Sequence, residues 1–339
     1  MPDARVKVQA DFGQAAALAR WRDSRAALGV FCAVSFVIAG CTSNSATPAV
    51  THESEPWAFR GRSGTKLITL HYEIFTTLRD EALLSGIPEM CESAYGEYAK
   101  LIPPQRGGDE RMKVYLFASR PEWVEFTREF TGPRAGIFLK VRNGGYSEQG
   151  VSVIQYVSHD ITFPLLAHEG FHQYLYCCVN DQVPAWLNEG LAVYFEGQEL
   201  TGDNRTRFSP WNNPGRSNAL AEALIRKKLF PMAEILDTNA GRIAGMPPRM
   251  VGTYYAQLWA LIGFLIEGEG GKHADGFARL LKAVSGGELE QFARAAHVLN
   301  ASDDYSFGRS LFEAFITKDL SAFEDEFVRY AKQKTIGDK

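Results

Sequence analysis

The sequence predicts an α+β fold, in which a mixed or antiparallel sheet in the first half is followed by a mostly helical second half. Short segments that alternate apolar and polar residues fall between positions 66 and 157, and such segments fade after Thr162. Beyond that point apolar residues recur every three or four positions, a spacing typical of amphipathic helices. The two spacings together favour an α+β arrangement over an all-helical one.

The predicted elements of the first half alternate between strands and helices. Pro103 and Pro104 end the first predicted helix, because proline cannot continue a helix from within. The predicted elements are, in order, a strand at 66–74, a helix at 76–102, a strand at 112–118, a helix at 121–130, and a hairpin formed by segments 135–141 and 150–157. In the second half a long polar loop is predicted at 201–218.

The composition is that of a folded globular protein. Of its 339 residues, 45% are hydrophobic and 22% are charged, which argues against a disordered chain. The formal net charge is −4. Because nucleic-acid-binding proteins usually carry a basic surplus, no nucleic-acid partner is predicted.

The N-terminal segment has the features of an export signal. Three arginines (Arg20, Arg22 and Arg25) precede a fifteen-residue apolar run that ends before Cys41. This run is shorter than the roughly 20 residues that a transmembrane helix needs. The run fits the apolar region of a signal peptide, and an uncleaved signal anchor or a buried helix are the alternatives.

The last four residues of this segment, "IAGC", resemble the lipobox of bacterial lipoproteins. The resemblance implies cleavage before Cys41, lipidation of Cys41, and anchoring in the cell envelope, at the outer membrane or cell surface. The predicted organisation is a signal peptide at 1–40, a flexible tether at 41–64, and one domain at 65–339. Within that domain, 65–160 contains the sheet and 161–339 is helical.

Three cysteines follow the predicted lipidation site. Neighbouring cysteines rarely bond to each other, because the resulting ring is strained. We therefore expect Cys91 to pair with either Cys177 or Cys178, and the sequence leaves both pairings open.

The motif His168-Glu169-Gly170-Phe171-His172 predicts a metal site. On a helix, residues four apart lie about 6 Å from each other along the axis on nearly the same face. Two imidazoles placed in this way can bind one Zn²⁺, at about 2.0–2.1 Å each. Glu169 projects from the flank of the same face, where it can act as a general base on a water molecule.

A third ligand is predicted on the next helix, which is expected to open at Pro184 and to run antiparallel. His172 lies six residues before Cys178, or roughly 9 Å below the connecting turn, and Glu189 lies five residues after Pro184, or roughly 7.5 Å below it. Gly190 is small enough to let the helices approach, as is Gly170. Glu189 is therefore the predicted third ligand, and a fourth position is left open, as in catalytic zinc sites.

The segments "HEGFHQ" and "PAWLNEGLAVYFE" resemble the gluzincin metallopeptidases. The matching residues are His168, Glu169 and His172, followed by Asn188, Glu189 and Gly190. The resemblance implies a zincin-like fold, a bound Zn²⁺, a peptide or protein substrate and Glu169 as the catalytic base. It also implies an edge strand that binds the substrate backbone, for which "GVSVIQYV" is the natural candidate. The chain lacks the G-x-M-x-N segment of the aminopeptidases of this family, so we expect an endopeptidase.

Supporting roles are predicted for a few further residues. Tyr255, or otherwise Tyr254, is expected to donate to the oxyanion of the transition state. Asn188 and Glu196 are expected to orient ligands, and His159 is expected to be a capping or surface residue. Two rival functions are a catalytically silent zinc-containing binding protein and a zinc hydrolase of a non-protein amide, such as a cell-wall peptide.

Overall fold

The computed structural model describes most of the chain after residue 49. The described ranges are 50–106, 110–142, 144–179, 182–200, 206–238, 242–243, 245–289, 291–292 and 304–337. The predicted signal peptide and Cys41 lie outside the described residues. Among the described helices, none combines the length and the apolar character that a bilayer span needs.

Six strands form one mixed sheet in the order β1-β2-β3-β4-β6-β5. The inner strands β3, β4 and β6 are parallel, and the remaining pairs are antiparallel. The strands are β1 (Glu53–Phe59), β2 (Arg62–Ile68), β3 (Tyr72–Thr76), β4 (Met112–Phe117), β5 (Gly145–Glu148) and β6 (Val151–Gln155). A separate two-stranded ribbon pairs β7 (Gln198–Leu200) with β8 (Thr206–Phe208).

Helices make up most of the second half, which confirms the predicted α+β class. The described helices are α1 (Glu81–Leu101), α2 (Arg120–Thr131), α3 (Ala135–Phe138), α4 (His159–Cys178), α5 (Ala185–Phe195), α6 (Pro214–Ile225), α7 (Met232–Asp237), α8 (Pro248–Glu267), α9 (Ala274–Gly286), α10 (Asp304–Phe315) and α11 (Leu320–Thr335).

The prediction of a flexible tether at 41–64 is wrong from Glu53 onward. Strand β1 begins at Glu53 and pairs with β2 along its whole length. Most β1 side chains are exposed, so the segment looks polar in the sequence. Arg60 and Gly61, both with positive φ, form the two-residue turn that makes β1 and β2 a hairpin.

Two other predicted elements differ in the structure. The strand predicted at 66–74 is divided into β2 and β3, because the chain turns at Thr69, whose backbone N–H donates to Tyr72 O at 3.0 Å. The following helix begins at Glu81 rather than at 76, since the Asp80 side chain caps it by accepting from two backbone N–H groups. The predictions of β4 and α2 are confirmed to within one residue.

The predicted hairpin is correct in kind but wrong in its first strand. Residues 135–138 form the short helix α3, and the strand that pairs with β6 is β5. Gln149 and Gly150, both with positive φ, form the turn between β5 and β6. As a result β6 lies between β4 and β5, so the expectation that "GVSVIQYV" is the edge strand is wrong, and β5 holds the edge position.

The sheet is covered on both faces. Helices α1 and α4 pack on one face, where Ile74, Val114 and Ile154 meet Met90 and Leu166. Helix α2 covers the other face through a buried aromatic cluster around Trp123, Phe117 and Tyr146. A larger core among the helices of the second half is centred on α5 and α8.

The cysteine prediction is not borne out, because Cys91, Cys177 and Cys178 are all free thiols. Cys91 lies in the core between α1 and the sheet, while the Cys177 sulfur is directed toward Gly150 O at 3.9 Å. Burial raises the pKa of Cys177 to about 11, so this thiol is protonated and poorly nucleophilic at neutral pH.

Candidate metal centre

Helix α4 has its position fixed by contacts on several sides. Its N-cap is Ser158, and the helix runs from His159 to Cys178 with most of its residues buried. The Tyr98 hydroxyl on α1 donates to Ala167 O, one residue before the motif. A Cβ at Gly170 would come within 3.1 Å of that same hydroxyl oxygen, so the motif glycine allows α1 to approach.

The second motif glycine has an equivalent role on α5. A Cβ at Gly190 would lie 3.0 Å from Ile262 on α8. The two glycines therefore allow contacts with α1 and α8, rather than the predicted direct approach of α4 to α5. The rise along the two helices still brings His172 and Glu189 to the same level, as the sequence predicts.

Three candidate metal-ligand atoms from α4 and α5 converge at one point. The Nε2 atoms of His168 and His172 are 3.3 Å apart, and each lies 3.7 Å from Glu189 Oε2. These three side chains form a group whose ligand atoms all lie within 4.8 Å of one another. A tetrahedral zinc with bonds of about 2.0–2.1 Å would hold its ligand atoms about 3.3 Å apart, so the observed spacing fits such an ion.

The hydrogen bonds of the two imidazoles direct their lone pairs toward this point. His168 Nδ1 lies 3.0 Å from Glu196 Oε1, and His172 Nδ1 lies 2.8 Å from Asn188 Oδ1. Because both partners are acceptors, both Nδ1 atoms carry a proton, and in the neutral imidazoles both Nε2 atoms present lone pairs. Two lone pairs facing each other at 3.3 Å repel unless a proton or a metal cation lies between them.

Glu189 supplies the third lone pair. Its Oε2 atom is buried and has no hydrogen-bond partner among the described residues. A buried carboxylate oxygen without a donor carries a large desolvation cost. Three converging acceptors without donors are the arrangement that a divalent cation would satisfy, so the residues present fit a metal ion.

A buried ion pair supports His168 from behind. Arg216 donates from Nε to Glu196 Oε2 at 2.9 Å and from Nη2 to Glu196 Oε1 at 2.7 Å. Asn213 Nδ2 donates to Oε2 at 2.8 Å. Burial alone would raise the pKa of Glu196, but the charge of Arg216 and the hydrogen bonds from His168 and Arg216 outweigh it and lower the pKa to about 2. Glu196 is therefore an anion that fixes the orientation of the His168 ring.

The sequence anticipated only part of this arrangement. Asn188 and Glu196 lie where ligand-orienting residues were predicted, each at hydrogen-bonding distance from a histidine. Arg216 and Asn213 were missed, because they fall in the segment predicted as a polar loop. Asn213 caps α6 immediately before Pro214, and this pair is a helix-start signal that the sequence does contain.

The Glu169 side chain lies beside the three candidate ligands His168, His172 and Glu189. The residue is only 8% exposed. Burial raises the pKa of its carboxyl group, and the nearby His168 and His172 offset only part of that rise. Within the described residues this carboxylate makes no hydrogen bond or ion pair, so it is free to bind a water molecule or a substrate group.

The two candidate tyrosines differ in what they face. The Tyr255 ring centre lies 6.2 Å from that of His168, and the Arg216 guanidinium lies 5.3 Å from the Tyr255 ring centre. Tyr254 packs against Phe230, and its buried hydroxyl has no hydrogen-bond partner within the described residues. Tyr255 is therefore the tyrosine that directly borders the candidate metal centre.

A cleft of about 820 Å³ is lined by Glu196, which contacts His168, but not by the three candidate ligands themselves. Its walls include Leu165 on α4, Gly144 next to β5, and the buried Glu196–Arg216 pair. His159 also borders this cleft, is half exposed, and stacks on Phe163 at 4.4 Å, which agrees with the predicted surface position.

Comparison with known families places the candidate centre within one matched segment. Residues 163–286 match a family model described as "Protein of unknown function (DUF1570)". This segment includes the three candidate ligands, and it leaves out the six-stranded sheet. It also includes Glu169, Glu196, Arg216 and both tyrosines. No curated protein matches the chain.

Proposed function

We propose that the chain is a zinc-dependent endopeptidase that acts outside the cytoplasm. The observation that carries this proposal is the convergence of His168, His172 and Glu189 on one point. Each presents an atom with a lone pair there, and the buried Glu189 Oε2 accepts no hydrogen bond from the described residues. Two histidines and one carboxylate are a ligand set found in catalytic zinc sites, where the fourth position stays open. Zinc held there would polarise a scissile carbonyl and acidify a water molecule.

Glu169 is the proposed general base. Its carboxylate would accept a proton from the attacking water and would then donate that proton to the leaving amine. The position of Glu169, directly after His168 on α4, supports this role because the side chain borders the same buried space as the three donors.

Tyr255 is the proposed donor to the oxyanion that forms on the substrate carbonyl. Burial raises the pKa of its hydroxyl, so the group keeps its proton at neutral pH and can donate a hydrogen bond. Tyr254 is less suitable, because its ring is directed toward Phe230.

The substrate backbone is proposed to pair with β5. This strand is the terminal strand of the sheet and packs against α4, so an added extended chain there would pass near the motif. The anchoring of the chain to a membrane through lipidated Cys41 is likewise a proposal, which rests on the "IAGC" segment.

The test compares the wild-type protein with Glu169→Gln. Both should retain one zinc per chain, and hydrolysis of an unfolded protein should fall by about 10²–10⁴-fold in the variant. A chelator should abolish wild-type hydrolysis, and added zinc should restore it. Glu129→Gln is a matched control, because Glu129 is exposed and pairs with Arg60 on the surface.

Three results would contradict the proposal. Full activity of Glu169→Gln would remove Glu169 as the base. Stoichiometric zinc without any hydrolysis of unfolded proteins would instead favour the zinc-containing binding protein, and hydrolysis restricted to cell-wall peptides would favour the non-protein amide hydrolase.

A further inference from the structure

A second cavity, of about 850 Å³, lies at the far end of α6 between that helix and the start of α8. Its floor is apolar and includes Ala223, Leu229, Phe230 and Met250. Met250 is 43% exposed, so this apolar surface is accessible from solvent.

The two cavities follow one face of α6. On α6 and at its C-cap, the lining residues include Gly215, Arg216 and Ala219 for the first cleft, and Glu222, Ala223 and Arg226 for the second cavity. Arg216, Ala219, Glu222 and Arg226 are spaced three or four positions apart, so they lie on the same side of the helix. Helix α8 contributes Gly252 to the first cavity and Thr253 to the second. We refer to the surface that holds these two neighbouring cavities as the α6–α8 groove.

The far end of the groove is rich in cations. Its rim carries four cationic side chains, Arg226, Lys227, Lys228 and Arg249, against two carboxylates, Glu222 and Glu234. We refer to this end as the cationic pocket. The surplus of positive charge is notable because the whole chain has a formal charge of −4.

The rim carboxylates are already paired with arginines. Glu222 bonds to Arg249 and also to Arg226 at 3.1 Å, and Glu234 bonds to Arg242 at 3.0 Å. Within the part of the chain that the structure describes, Lys227 and Lys228 make no ion pair. Their charges are therefore available to a ligand.

The backbone at Lys227 is strained. Its φ of +53° lies in the left-handed region, at a position after a helix where glycine is usual. A lysine there is less favourable than glycine, because its Cβ crowds the backbone in this conformation. The backbone conformation therefore does not explain a lysine at this position.

We propose that the α6–α8 groove binds the part of the substrate chain that extends beyond β5, and that its cationic pocket selects peptides with an acidic side chain. This inference rests on the proposed peptidase function. From Arg216 to Arg226 the helix rises roughly 15 Å, and an extended peptide advances about 3.3 Å per residue. The acidic residue should therefore lie about four or five positions beyond the peptide residue next to Arg216, and so at least that far from the scissile bond, beside an apolar residue that contacts the floor.

The first test measures cleavage preference. A peptide library digested by the wild-type protein should show Asp or Glu enriched at one side of the cleaved bond, about four or five positions away or slightly farther. The double variant Lys227→Gln/Lys228→Gln should lose this enrichment, and its kcat/KM ratio for a Glu peptide over the matched Gln peptide should fall about tenfold. The control Lys282→Gln/Lys332→Gln removes two exposed lysines from other helices and should keep the wild-type ratio.

The second test measures binding without turnover. A fluorescein-labelled peptide that alternates Glu and Leu should bind Glu169→Gln about tenfold more tightly than its Gln–Leu counterpart, and this preference should weaken at high salt. The double lysine change in the Glu169→Gln background should abolish the preference.

The outcomes separate the two proposals. Hydrolysis with no acidic enrichment, together with equal binding of the two labelled peptides, would overturn the cationic pocket and leave the peptidase proposal standing. Lysine-dependent binding of the acidic peptide without any hydrolysis would support the pocket and overturn the peptidase proposal.

Discussion

Replacement of Arg216 by glutamine should weaken zinc binding, although Arg216 does not touch the candidate ligand atoms. Arg216 makes two hydrogen bonds to Glu196, and both side chains are largely buried, at 25% and 10% exposure. Breaking a buried ion pair by removing one partner costs about 3–5 kcal/mol, because the remaining charge is left unpaired. Since Asn213 still donates to Glu196, we expect a loss of about 3 kcal/mol in the free energy of unfolding of the metal-free protein.

The same substitution should lower zinc affinity by about 10–100-fold, the usual effect of removing a residue that supports a ligand. Affinity would be measured by competition with a chelator, and ligand geometry by the visible absorption of the Co²⁺-substituted protein. Arg216→Lys should be intermediate, because lysine keeps the charge but cannot donate the paired hydrogen bonds. Unchanged zinc affinity and an unchanged Co²⁺ spectrum in Arg216→Gln would refute the role assigned to this ion pair.

Two further predictions concern the contacts of α1. Gly170→Ala should lower the free energy of unfolding by about 1–3 kcal/mol, because the added methyl group meets the Tyr98 hydroxyl. Gly96 lies on α1, where an added Cβ would meet no atom within 4 Å, so Gly96→Ala should instead stabilise the protein by about 0.5–1 kcal/mol. Equal effects of the two substitutions in urea unfolding would contradict these contacts. Glu92 accepts a hydrogen bond from His71 at 2.6 Å, and although burial alone would raise the pKa of Glu92, its hydrogen bonds to His71 and Thr69 and the charge of His71 together lower it. Because the folded-state pKa lies below the unfolded value, this stabilisation is present above the unfolded pKa and is lost as the pH falls through the folded pKa. Glu92→Gln should therefore be less stable than the wild type at pH 7 and should approach it on acidification, whereas a difference that does not change with pH would count against the ion pair.

The geometry of the candidate centre could be predicted because helices have a fixed rise. The level of His172 below one helix end and of Glu189 below the next follows from counting residues, and the structure places their ligand atoms 3.7 Å apart. The order of strands has no such local rule. The hairpin partner of β6 was misplaced, and β6 was therefore taken for the edge strand.

Other features were missed because they depend on contacts between distant segments. Arg216 is twenty residues from Glu196, and nothing in its local sequence indicates that it pairs with a buried carboxylate. Strand β1 escaped prediction because its exposed residues look like those of a tether, whereas Trp57 and Phe59 stack on each other and pack on the aromatic face of the sheet. Local sequence patterns thus predicted the helices and the three candidate ligands. The position of Arg216 and the pairing of β1 depend on contacts between distant segments.

The most direct test of the central claim is to locate zinc by anomalous X-ray scattering at the zinc edge in crystals of the purified chain. We expect one zinc per chain, with His168 Nε2, His172 Nε2 and a Glu189 carboxylate oxygen at about 2.0–2.2 Å. An anomalous peak at another site, such as the cysteines of α4, or none in protein saturated with zinc, would contradict it.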